Sequence, residues 1–74
     1  MRSAVRKIDP TRYRRLLSQT MPVVIETEEE NERMLKVIEK LMDKGESLSP
    51  EEEKLLKLLT RLVEDFEEEY YEPK

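Results

Sequence analysis

The residues best placed to do chemistry are the carboxylates of Glu28, Glu29 and Glu30, with Glu32 close behind. Clustered acids of this kind suggest a site for a hard cation such as calcium. Calcium sites, however, take several converging oxygens from a tight loop that turns on a glycine. The only glycine here is Gly45, and it lies thirteen residues or more away. Glutamates in the first turn of a helix are explained without metal, because they complement the positive end of its dipole. The chain has no histidine and no cysteine. That removes the commonest acid–base group, thiolate nucleophiles and any disulfide framework. A di-iron helical bundle needs Glu-x-x-His, and a phosphate-cradling loop needs several glycines. No nucleophile–base pair is visible. The sequence therefore predicts no enzyme, no cofactor and no metal.

The elements that would carry these carboxylates are clear from the spacing. Thr27 with Glu30, and Ser49 with Glu52, each fit a capping box at the start of a helix. Pro50 suits the first helical position, where its missing N–H has no intrahelical partner to lose. Gly45 suits the left-handed end of the first helix. Between these signals, Met34, Leu35, Val37, Ile38, Leu41 and Met42 fall on one face at 100° per residue. In the second helix Leu55, Leu56, Leu58, Leu59, Leu62, Val63, Phe66 and Tyr70 do the same. Ile38, Leu41, Leu59, Leu62 and Phe66 lie at the middle of the two stripes. Both stripes are wider than a coiled-coil seam, so two helices alone leave apolar surface uncovered.

Upstream, Asp9-Pro10 predicts a cap and first residue for a short helix through Gln19, with Tyr13, Leu16, Leu17 and, just past its end, Met21 on one face. A helix of about ten residues is marginal alone and needs docking. Pro22 and the β-branched run Val23-Val24-Ile25 predict an extended segment. It serves as an apolar linker or as an added strand for another protein's sheet. The expected fold is all-α. It has a basic arm and short helix (1–22), an extended linker (23–26) and a long antiparallel helical hairpin (27–72), together one small domain of 74 residues. A core of this size rarely supplies more than about 3–5 kcal/mol, so a partner or second copy is expected.

Net charge divides sharply. Residues 1–20 carry six basic side chains against Asp9 alone, a net +5. Residues 21–74 carry eight basic and seventeen acidic ones, a net −9. The two parts complement each other or two different partners. The basic arm, with Tyr13 among its arginines, raises nucleic acid, yet no helix-turn-helix, zinc-finger or RNA-binding signature is present. Six acids between Glu64 and Glu72 sit near the negative end of the last helix and read as a solvated face. No apolar run is long enough for a signal peptide or a membrane span, so a cytoplasmic location is expected.

Four stretches carry a family resemblance. They are Asp9–Leu17 (DPTRYRRLL), Pro22–Glu30 (PVVIETEEE), Leu41–Glu53 (LMDKGESLSPEEE) and Glu64–Tyr71 (EDFEEEYY). In this order and spacing the chain resembles the N-terminal portion of HigA-type antitoxins over nearly its whole length. The resemblance implies a helical region that precedes a helix-turn-helix domain of the Xre/Cro class, in a transcriptional autoregulator. It also implies a partner, a HigB toxin of the RelE-like, ribosome-dependent mRNA interferase type. The sequence stops at Lys74, about where the DNA-binding domain would begin. This implies a truncated or naturally short relative, and operator binding is not carried over. The expected function is thus neutralisation of a toxin by protein–protein binding. Homo-oligomerisation, as a homodimer, and DNA-binding regulation through an absent reading head are the rival readings. The expected partner-binding residues are Tyr13, Leu17, Val24, Ile25, Glu28, Glu29 and Glu32. They are the parts least occupied by the hairpin's own core.

Overall fold

The computed structural model describes residues 7–70, with side chains described through Glu69. The first residues of the basic arm and the stretch from Tyr71 to Lys74, where the second long helix was expected to end, lie outside the described residues. The described chain is all-helical: α1 (Pro10–Thr20), α2 (Glu28–Asp43), a single 3-10 turn (Gly45–Ser47) and α3 (Pro50–Tyr70). No strand forms among the described residues, so Val23–Ile25 runs as irregular backbone.

Each helix starts where side-chain chemistry tells it to. The Asp9 Oδ1 accepts from the Thr11 N–H at 3.0 Å, with Pro10 at the first helical position. Thr27 Oγ1 accepts from the Glu30 N–H at 3.1 Å. Glu30 reaches back to the Glu26 N–H at 2.9 Å, one residue beyond the cap itself. At α3 the reciprocal pair is complete. Ser49 Oγ accepts from the Glu52 N–H at 3.1 Å, and Glu52 Oε1 accepts from the Ser49 N–H at 3.0 Å. The other Glu52 oxygen pairs with the Lys44 ammonium, tying the end of α2 to the start of α3. Gly45 has φ +56° and open space around it, so backbone conformation and not room is what selects glycine there.

α1 and α2 both pack on α3. The buried core is Ile25, Met34, Leu41, Leu55, Leu59, Val63 and Phe66, of which Met34, Leu55 and Leu59 are sealed completely. Ile38 and Leu62, expected at the centre of the stripes, are only half-buried, and Met34 and Leu55 take their place. The shift follows from α1, whose Tyr13, Leu16 and Leu17 add a third layer against α3 and move the centre of packing. At 1.5 Å per residue, α3 outruns α2 by about 7–8 Å. Ile25 tucks against that extra length, lining one hollow with Phe66.

Candidate partner-binding surface

α1 is clasped at both ends by charged side chains of its neighbours. At its N-terminus the Asp9 N–H donates to Glu51 Oε2 of α3 at 2.7 Å. At its C-terminus Arg33 of α2 donates from Nη1 to the Thr20 carbonyl at 2.7 Å and from Nη2 to the Met21 carbonyl at 3.2 Å. A carboxylate at the positive end of the helix dipole and a guanidinium at the negative end are the favourable placements. The Met21 N–H closes the last turn on the Leu17 carbonyl at 2.7 Å, with Met21 itself left-handed at φ 50° and ψ 61°. A non-glycine residue held there stores about 1–3 kcal/mol, and the Arg33 fork helps to hold it. Neither Arg33 nor Glu51 was singled out from the sequence. Their partners lie 12 and 13 residues away in one case and 42 in the other, so no local signal marks them.

Glu51 is 4 % exposed, and its Oε1 has no hydrogen-bond partner. Its carboxyl is held below the ordinary glutamate range, first by the Asp9 N–H. Its own backbone N–H, the Ser49 hydroxyl and the Arg12 charge add to this, and together they outweigh the loss of water. A group whose folded value lies below its unfolded value stabilises the fold above the unfolded value, and that stability is lost as pH falls through the folded one. Docking of α1 is therefore expected to weaken below roughly pH 4.3, the usual glutamate value. Glu52 is also held low, first by its hydrogen bond to Lys44. Glu51→Gln is expected to abolish the loss of Asp9 amide protection on acidification, measured against the intrinsic exchange rate, which Glu52→Gln leaves in place. Identical acid profiles for the parent and Glu51→Gln would show that this carboxylate does not hold α1.

The clasp fixes the linker, and the linker presents apolar surface. Met21 is 61 % and Val24 70 % exposed, while Ile25 between Val24 and α2 is 5 % exposed. Of the residues expected to meet a partner, Val24, Glu28, Glu29 and Glu32 are exposed on the linker and the first turns of α2. Tyr13 and Leu17 are half-buried, and both pack on the core. Ile25 belongs to the core outright, which gives it a structural role in the free protein. Met21 was not among the expected contacts. The spacing placed it on the packed face with Tyr13, Leu16 and Leu17, but the left-handed bend turns it outward. The described residues contain no group of three or more acids placed to hold a metal ion. No described helix is long and apolar enough to cross a membrane.

No family model, curated protein or solved structure matches this chain.

Proposed function

We propose that this chain is the toxin-binding part of a HigA-type antitoxin, acting by protein–protein binding on a small basic mRNA interferase of the HigB/RelE type. The observation that carries the reading is the pairing of exposed apolar Met21 and Val24 with the exposed carboxylates of Glu28, Glu29 and Glu32. An RNase must offer a basic surface to RNA. An acidic surface with an apolar centre occupies that surface and steers the encounter. The order and spacing of the four sequence stretches that resemble HigA antitoxins support the same partner. In this reading the short basic helix and the linker lie across an antiparallel helical hairpin, and the protein works in the cytoplasm, where mRNA is translated. Inhibition here is by occupancy, with no reaction catalysed by the chain itself. Operator binding is not assigned to these residues.

The test is surface-binding kinetics with the toxin encoded beside this gene, together with rescue of cell growth. Reversing Glu28, Glu29 and Glu32 to lysine is expected to slow association and flatten its salt dependence. Val24→Asp is expected mainly to speed dissociation, since it spoils a desolvated contact and leaves long-range steering in place. Full neutralisation by both variants would move the interface off the linker and the first turns of α2.

A further inference from the structure

A second apolar surface lies on α2, away from the linker contact. Leu35 is 40 % and Met42 63 % exposed, and half-buried Ile38 lies between them. Their spacing, i, i+3 and i+7, aligns them in one stripe about 10 Å long. Arg33 points to α1, and Met42 follows it by nine residues, or 900°, which is half a turn further round. The stripe therefore faces away from α1, and among the described residues nothing from α1 covers it. It floors a shallow hollow of about 390 Å³ walled by Glu32, Lys36 and Glu39.

The charges at the edge select the occupant. Glu32 and Glu39 are exposed and flank the stripe on one side, seven residues apart. Glu28, four residues before Glu32, extends the same row. A second copy of this chain paired along the stripe in the antiparallel sense, Leu35 against Met42, brings the two Glu39 side chains together, which is repulsive. Anionic membrane and nucleic acid are repelled by the same row. A helix with an apolar stripe edged by lysine or arginine meets apolar surface with apolar surface and carboxylate with cation.

We infer that the outer face of α2, Leu35–Ile38–Met42 edged by Glu32 and Glu39, is a docking groove for a basic amphipathic helix of another protein. The groove shares Glu28 and Glu32 with the toxin reading but rests on a different apolar surface, Leu35–Ile38–Met42, so the serine variant below separates the two. Anchors two turns apart match a helix lying along the groove, with Leu35 and Met42 as the ends of the footprint. Lys36 lies on the same flank, four residues after Glu32 and three before Glu39, and the row with Glu28 stays net negative.

The probe is a fluorescein-labelled peptide of leucine and lysine, about five helical turns long and patterned to be amphipathic. Its control is the same peptide with glutamate for lysine. The lysine peptide is expected to bind the full chain, with amide shifts centred on Leu35, Ile38, Glu39 and Met42, and the glutamate peptide is not. The double variant Leu35→Ser/Met42→Ser, which changes exposed positions only, is expected to weaken binding about tenfold or more. Glu32→Lys/Glu39→Lys is expected to slow association and reduce its salt dependence. Circular dichroism confirms that each variant keeps the parent's helicity. Equal affinity for the parent and the serine variant would overturn the inference. Shifts centred on Met21–Val24 or on Glu64–Glu69 would overturn it too. So would sedimentation showing that the parent is a dimer which the serine variant abolishes, because the occupant would then be a second copy.

Discussion

Leu59→Ala is expected to lower the unfolding free energy by about 2–5 kcal/mol and to leave much of the population unfolded. Leu59 is completely buried in α3, at the layer where Met34 of α2 and the apolar face of α1 converge. Truncation removes the burial of three carbons, one methine and two methyls, and leaves a cavity that three helices must collapse to fill. A core of this size supplies only about 3–5 kcal/mol in total, so the loss is comparable with the whole margin. Leu58→Ala, one residue earlier and half-buried, is the control, and its cost should be clearly smaller. Thermal and urea melts followed by circular dichroism make the comparison. Unchanged melting for Leu59→Ala would remove the α2–α3 interface as the source of stability.

The same interface shows what a sequence of this kind reveals and what it conceals. Helix starts were legible because a cap is local: Asp9, Thr27 and Ser49 each meet a backbone N–H two or three residues away. Gly45 was legible for the same reason, since a single backbone angle asks for it. The all-helical class followed from apolar spacing alone. The centre of the core did not. Spacing ranks faces, but α1 docking on α3 decides that Met34 and Leu55 are sealed while Ile38 and Leu62 stay half-open.

The candidate surface divides along similar lines. Glu28, Glu29 and Glu32 were expected to be left free by the hairpin's own core, and they are exposed. Arg33 also falls on the polar arc, yet it reaches the Thr20 and Met21 carbonyls. Glu51 looks like one more first-turn acid, yet it is buried beneath the start of α1. Nothing in a charged side chain's own neighbourhood announces a partner 42 residues away. Such contacts arise from how elements meet, and they set where the linker runs. The linker in turn decides which of three successive β-branched residues points inward.

That decision makes Ile25→Asp the sharpest test of the linker. Ile25 is 5 % exposed and lines a hollow with Phe66, whereas Val24 beside it is 70 % exposed. Losing the isoleucine's burial costs about 2–5 kcal/mol, as for truncation of a core aliphatic residue. An unpaired carboxylate in its place adds a desolvation penalty. Among the described residues the charged groups at the edge of that hollow are Glu26 and Glu69, so the new carboxylate meets repulsion from them. Both burial and like charge disfavour ionisation. The penalty should therefore be greatest near neutral pH and partly relieved on acidification, opposite in sign to the Glu51 effect. Val24→Asp, exposed to solvent, is expected to stay within about 0.5 kcal/mol of the parent. Melting curves at neutral and mildly acidic pH separate the two positions. If Ile25→Asp melts as the parent does, Ile25 is not anchored in the core, and the linker swings free of α3.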